Sequence, residues 1–443
     1  MRKLYLLLIT ASLWINANGQ GLPDLSGLGL PLDSLSILNG VLPQEPMGER
    51  YKDPVFSELV YAPGIFYGSA DILVDSLTLV PNAYPLFMDV YMPLLDVLNT
   101  ETRPVIVLAF GGSFVYGARV SPDIVQLCTR FAQLGYVTVS IDYRLTDELL
   151  INPSHDNAYR AVSKAMHDMK GAVRFLRMQA DSLGNPLNID TDKIIVGGVS
   201  AGAFGALHAA YLDRVEEVPV EFWDVLEQTG GIEGNSGNES YSSEVFACVN
   251  LCGALGKAEW LEMGDVPLVS LHGDEDGTVP YDNDTIRALD VNYPVSGSAA
   301  IHRRADEVGV RNAFYTFKGA DHTPFILPSI IGPSEMAYMD TTFEFTRDFL
   351  FGVVTGNSGT AVNELDNDLD FSVSPNPCDD FVLLPDFYAN FNEYKLVNAS
   401  GKVVKQGKTA ARLNVSDIDN GTYILSLIGT KNQSKSARLV IQH

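Results

Sequence analysis

Lys193-Ile194-Ile195-Val196-Gly197-Gly198-Val199-Ser200-Ala201-Gly202-Ala203-Phe204-Gly205-Ala206 is the stretch on which the reading of this chain turns. The β-branched run Ile194 to Val196 predicts a buried strand, and the small residues Ala203, Ala206, Ala209 and Ala210 predict a closely packed helix. Between them Gly198-Val199-Ser200-Ala201-Gly202 fits the pattern G-x-S-x-G. A serine in such a tight strand-to-helix turn presents its hydroxyl, and the flanking glycines let neighbouring backbone approach without a β-carbon clash. The start of the helix also favours developing negative charge. Ser200 is therefore the candidate nucleophile.

Outward from this turn, strand and helix patterns alternate. Strands are predicted at Pro85 to Met92, Pro104 to Phe110, Tyr136 to Tyr143, Lys193 to Val199, Phe246 to Cys252, Pro267 to His272 and Asn312 to Phe317. Helices are predicted near Ser121 to Leu134, His155 to Gln179, Ala201 to Asp213, Ser298 to Val308 and Pro333 to Leu350. The fold class expected is α/β, a mostly parallel sheet covered by helices on both faces over residues 56–352. The segment from Arg214 to Val245, with its Gly-rich run Gly230 to Gly237, interrupts the pattern and reads equally as a lid or as a plain surface loop. Residues 20–55 read as an extended lead-in. A linker is expected over 353–370, followed at 371–443 by a small all-β sandwich with strands at Phe381 to Leu384, Tyr394 to Asn398, Lys402 to Gln406, Tyr423 to Ile428 and Ala437 to Ile441.

Three more stretches carry chemistry. Phe110-Gly111-Gly112-Ser113-Phe114 follows an apolar strand, where a loop can aim backbone N–H groups at the oxygen of a tetrahedral intermediate. Gly112, Ser113 and Ala201 are the candidate oxyanion donors. Leu271-His272-Gly273-Asp274-Glu275-Asp276 ends another strand, and an acid there can reach inward to orient an imidazole; Asp276 is favoured over Asp274. His322, in Gly319-Ala320-Asp321-His322-Thr323, lies on a loop after a late strand and completes the order Ser, Asp, His. His155, His167, His208 and His302 fall on helical patterns and read as surface or packing residues, and His272 reads as a residue that holds the acid turn.

Composition bounds the partners. The chain of 443 residues has 30 basic and 55 acidic side chains and a net charge of -25. Residues 1–19 and 371–443 are not acidic overall, so the middle carries 20 basic against 49 acidic residues. Such a field repels nucleic acid, anionic lipid and polyanionic polysaccharide, so a neutral substrate is expected, which with the serine chemistry above would be a small neutral ester or an esterified glycan. No apolar run long enough to span a membrane follows the N-terminal stretch. Cys128, Cys248, Cys252 and Cys378 are too few for a disulfide scaffold; Cys248 and Cys252 on one strand would stand roughly 13 Å apart and read as buried thiols rather than a bond or metal pair. Met1-Arg2-Lys3, the apolar run Leu4 to Ile15 and Ala17-Asn18-Gly19 form a charged, apolar and small-residue series that reads as an export signal over 1–19.

Taken together, Met88-Asp89-Val90-Tyr91, the Phe110 to Phe114 loop, Ile141-Asp142-Tyr143-Arg144-Leu145, the Ser200 turn, the Asp276 turn and His322 resemble the carboxylesterases related to hormone-sensitive lipase and the bacterial feruloyl and acetyl-xylan esterase-like proteins. The resemblance spans roughly Tyr61 to Phe351 and implies an α/β-hydrolase fold, a Ser-Asp-His triad, and ester hydrolysis with no metal or organic cofactor. Phe110 stands where that family usually has His, a side chain that commonly braces the oxyanion loop. The tail, with Phe371-Ser372-Val373-Ser374-Pro375-Asn376-Pro377, Ser400-Gly401-Lys402-Val403-Val404 and Asn420-Gly421-Thr422-Tyr423-Ile424, resembles the sorting domain of the type IX secretion system. It implies the secretion machinery as partner and release or anchoring at the cell surface. The expected function is a secreted serine esterase working through an acyl-enzyme. Its rivals are a lipase or polyester hydrolase, a serine exopeptidase of the prolyl-oligopeptidase type, and a non-catalytic surface-binding protein on the same scaffold.

Overall fold

The computed structural model describes residues 48–71, 83–94, 101–146, 148–286, 291–326, 334–356, 373, 378–384, 391–398, 403–429 and 434–441. The predicted export signal and most of the linker lie outside these residues. The chain divides into two compact units, Met1–Val362 and Asn363–His443.

The first unit is built on eight strands: β1 (Leu59–Asp71), β2 (Ala83–Pro93), β3 (Arg103–Ala109), β4 (Val137–Ile141), β5 (Ile189–Val199), β6 (Ala247–Leu251), β8 (Leu268–Gly273) and β11 (Asn312–Phe317). They lie in the order β1-β2-β4-β3-β5-β6-β8-β11. β2 runs antiparallel to both its neighbours, and every pair from β4 to β11 is parallel. Every residue of β3, β4, β6 and β8 is buried, as a sheet covered on both faces requires. The covering helices are α1 (Pro122–Gln133), α2 (Glu148–Ile151), α3 (His155–Ser182), α4 (Ala201–Tyr211), α5 (Trp223–Thr229), α6 (Ser298–Val308) and α7 (Ser334–Val354). This order, with one antiparallel strand near the start and helices between the parallel strands, is the α/β-hydrolase fold.

The predicted strands and helices of this unit are all present to within a few residues. Sequence patterning missed β1, which pairs with β2 across two register irregularities that break its alternation, and a small second sheet of β7 (Ala254–Leu255), β9 (Asn283–Ile286) and β10 (Tyr293–Gly297). β9 and β10 form an excursion between β8 and α6. Asn283, Asp284 and Pro294 are exposed and burial is complete only from Val295 to Gly297, and a run such as Asn283-Asp284-Thr285-Ile286 carries no strand periodicity.

The second unit holds β12 (Phe381–Leu383), β13 (Glu393–Asn398), β14 (Val403–Lys408), β15 (Arg412–Asn414), β16 (Gly421–Ile428) and β17 (Ser434–Ile441). Four of them form the antiparallel sheet β14-β13-β16-β17, and β12 pairs with β15. Val382, Leu396, Leu425, Leu427, Leu439 and Ile441 make a core of its own. This is the all-β domain read from the sequence.

Candidate active site

Strand β5 delivers Ser200 at its end. The residue has φ 51° and ψ -117°, a strained conformation for a side chain with a β-carbon, and it immediately precedes α4. The turn is possible because Gly202 allows the helix to sit against β3: a β-carbon there would stand 2.2 Å from the Ala109 carbonyl oxygen. The Ser200 N–H donates to Leu251 O of β6 at 2.8 Å, which ties the turn to the sheet.

Strand β8 ends in the acid turn. Asp276 Oδ1 accepts the N–H groups of Thr278 and Val279, both at 2.8 Å, and Oδ2 accepts from His322 Nδ1 at 2.6 Å and His272 Nε2 at 3.0 Å. Burial works to raise the Asp276 carboxyl pKa, but the hydrogen bonds from His272 and His322 outweigh it and hold the group well below the usual carboxylate range. Asp276 is thus ionised at any working pH. His322 Nε2 lies 2.9 Å from Ser200 Oγ. The structure therefore brings Ser200, His322 and Asp276 into one hydrogen-bonded line. Asp274 turns elsewhere, accepting the Gly319 N–H at 2.6 Å.

Asp321 was not singled out in the sequence. Its Oδ1 accepts the N–H of Gly277 at 2.9 Å and of His322 at 2.7 Å, so one carboxylate staples the acid turn to the histidine loop. Those two bonds hold its pKa down. An Asp next to a loop His is too common a pair to signal this in advance.

Beside Ser200 lies the loop after β3. Gly112 has φ +133°, and a β-carbon there would stand 2.1 Å from Tyr116 O, so only glycine fits. Val115 and Tyr116 both donate to Gly112 O, closing the loop into a turn. Ser113 and Ala201 line the same cavity as Ser200, and among the described residues the Gly112 and Ser113 N–H groups donate to no backbone acceptor. Phe110, at the start of this loop, is buried. Its ring stacks on Tyr143 at 4.4 Å, Tyr143 Oη donates to Phe110 O at 3.0 Å, and the loop folds Gly117 against the ring.

The cavity opens from Ser200 and has a volume of about 110 Å³. Its wall is almost wholly apolar and includes Phe114, Phe204, Phe222, Trp260, Val279 and Tyr293. From the Arg214 to Val245 segment, Pro219 and Phe222 face the cavity; Val218, Val225 and Leu226 are buried in the core, while Val220 and Trp223 are exposed. His155, exposed, and His208, buried with its Nδ1 on Phe204 O, are surface and packing residues as read, and both also line the cavity. His208 is pushed down to about 4 by burial and so is neutral. The β9–β10 excursion contributes Ile286, Tyr293 and Val295, a wall that no motif announces.

Among the described residues one group of donors could gather a metal ion, Cys252, Asp276 and His322. Burial pushes the Cys252 thiol well up, and the other two already bond each other, so an ion there would dismantle the line to Ser200. All four cysteines are buried and free.

The far half of the Arg214 to Val245 segment is fastened to α3. His167 bonds Gly231 O at 2.6 Å, Lys170 reaches Ile232 O and Glu233, and Arg174 reaches Glu233 O and Gly237 O. In the same stretch Ser236 Oγ donates to the buried Asp168.

Residues 88–261 match the BD-FAE family, a stretch that includes the Gly112 loop and Ser200 and ends before Asp276 and His322. Residues 372–442 match the secretion system C-terminal sorting domain. No curated protein matches the chain. Among solved structures it is similar to the apo form of Thermogutta terrifontis esterase 2, at 21% identity over 70% of this chain and 97% of that chain with a TM-score of 0.44. It is also similar to the propionate-bound form of that planctomycete esterase, at 22% identity over 65% and 94% with a TM-score of 0.43.

Proposed function

We propose that this chain, an esterase-type α/β-hydrolase unit followed by a type IX secretion sorting domain, hydrolyses uncharged carboxylic esters through an acyl-enzyme on Ser200. The observation that carries the reading is the line Ser200 Oγ, His322 Nε2, His322 Nδ1, Asp276 Oδ2 at the mouth of an apolar cavity. His322 takes the Ser200 proton as Oγ attacks the carbonyl carbon, and Asp276 holds the imidazole in the tautomer that can do so. The N–H groups of Gly112, Ser113 and Ala201 receive the oxyanion. Collapse of the tetrahedral adduct expels the alcohol, which takes the proton from His322. Water, activated by the same imidazole, then releases the acid. A fluorophosphonate is the direct test: one label per chain, lost in Ser200→Ala, is the expected result. A chain that takes up no label is a binding protein on a hydrolase scaffold.

Three features support a small or medium acyl group. A cavity of about 110 Å³ is close in size to the roughly 150 Å³ apolar cavity that accepts one benzene ring. The roof is pinned at its far end to α3, which argues against a lid that swings open on an interface, and the acidic surface discourages adsorption to anionic lipid. Hydrolysis rate should therefore peak at short to medium acyl length and show no jump as substrate passes its solubility limit. A sharp rise on emulsified triglyceride would mark a lipase.

The sorting domain directs the chain by type IX export to the cell surface or the medium. Loss of that domain within residues 352–370, together with residues 1–19, is expected in the extracellular enzyme. Intact mass reads this directly, and active extracellular protein still carrying residues 381–443 would make the tail a permanent spacer.

A further inference from the structure

His272 is fully buried at the end of β8 and touches no candidate substrate, yet it bonds the same carboxylate oxygen as His322. The hydrogen-bond network fixes its state. Asn250 Nδ2 donates to Ser298 Oγ and to Ser270 Oγ, each at 3.0 Å, while Asn250 Oδ1 accepts the Gly253 N–H, which assigns the amide orientation. His272 Nε2 faces two acceptors, Asp276 Oδ2 at 3.0 Å and Val279 O at 3.2 Å, and Ser298 Oγ lies 2.7 Å from Nδ1, which in the neutral ring accepts its proton. Nε2 therefore carries the ring proton. The polarity runs one way, from Asn250 through Ser298 and His272 into Asp276.

We infer that His272 is a positioning residue for the hydrolysis proposed above: a second imidazole donor that fixes the Asp276 carboxylate oxygen on which His322 Nδ1 rests. Four donors fill the carboxylate, two backbone N–H groups on Oδ1 and two imidazoles on Oδ2. Removing one leaves the remaining charge concentrated on His322, so the imidazolium is retained to higher pH and less base is present at a given pH. The other groups facing this site are the Cys252 thiol, kept neutral by burial, the Tyr281 ring against His272, and Asp321, which acts through the Gly277 N–H.

The inference rests on the esterase reading, and the experiment separates the two. In His272→Leu, kcat on a soluble ester should fall roughly 10- to 100-fold, the size of one hydrogen bond to a charged group, with KM within about 2-fold. The acid limb of the kcat profile should move upward. His272→Gln, which can present an N–H near the Nε2 position, should recover most of the rate and return the limb. Ser298→Ala leaves the ring in place but frees its tautomer, and it should lower kcat by roughly 3- to 10-fold, a fraction of the same bond; it stands in if His272→Leu does not fold. The proton NMR signal of the His322 Nδ1–H, read without substrate, should shift in His272→Leu and return in His272→Gln. Unchanged kcat and limb in the variants, a limb that moves downward, or equal losses in Leu and Gln with an unmoved NMR signal overturn the inference. Wild-type protein that neither labels with fluorophosphonate nor turns over an ester sinks the esterase reading instead, and the NMR comparison still decides the role of His272.

Discussion

Ser200→Ala and His322→Ala are each expected to lower kcat on a soluble ester by about 10⁵- to 10⁶-fold, and the double variant to lose no more than either alone. The reason is that the two groups act on one proton. Ser200 Oγ without an imidazole 2.9 Å away has nothing to deprotonate it, and the imidazole without the hydroxyl has no nucleophile to serve. Asp276→Asn should cost about 10⁴-fold, because the amide offers an N–H where His322 Nδ1–H needs an acceptor and so favours the wrong tautomer. Asp274→Asn is the matched control: Oδ1 of that carboxylate receives only the Gly319 N–H, a bond that an amide oxygen can also accept, and the rate should stay within a few-fold. Steady-state kinetics on the five purified variants checks all of this. An inactive Asp274→Asn beside a fully active Asp276→Asn would reassign the acid.

The parts of this site that were legible in the sequence are those written into local chemistry. A strand, G-x-S-x-G and a small-residue helix constrain one another within fifteen residues, so Ser200 could be read where it stands. Chain order then selected Asp276 and His322 from many acids and seven histidines. What stayed hidden is carried by contacts between distant segments. His272 and Ser298 meet only because α6 begins beside the end of β8. His208 lines the cavity because α4 turns that face toward it, and nothing in its own neighbourhood separates it from a packing histidine. The β9–β10 wall lacks alternation, and the exposure of Val220 and Trp223 beside the inward Phe222 follows from tight turns whose phase a period cannot give.

The question the sequence left equally balanced, lid or surface loop, leads to the other large expected effect. Asp168→Ala should destabilise the first unit by about 3–5 kcal/mol, the usual cost of removing one partner of a buried ion pair. Asp168 on α3 is wholly buried and accepts the Arg144 backbone N–H at 2.7 Å, the Arg144 guanidinium at 2.9 Å and Ser236 Oγ at 2.6 Å. One carboxylate thus joins the loop after β4, the long helix and the Arg214 to Val245 segment. Its loss removes the carboxylate that meets the buried Arg144 guanidinium and releases Ser236 in that segment, whose other end carries Phe222 on the cavity wall. At roughly 2 °C per kcal/mol for a unit of this size, the melting midpoint should drop by roughly 6–10 °C. Asp168→Asn keeps an acceptor oxygen for Ser236 and should lose less. If the segment were a lid with its own hinge, this contact would carry little of the unit's stability, and Asp168→Ala would alter KM while shifting the midpoint by under about 2 °C, less than one kcal/mol on the same scale. Thermal unfolding and KM measured on the same preparation separate these outcomes, and the first is the one expected of a roof built into the core.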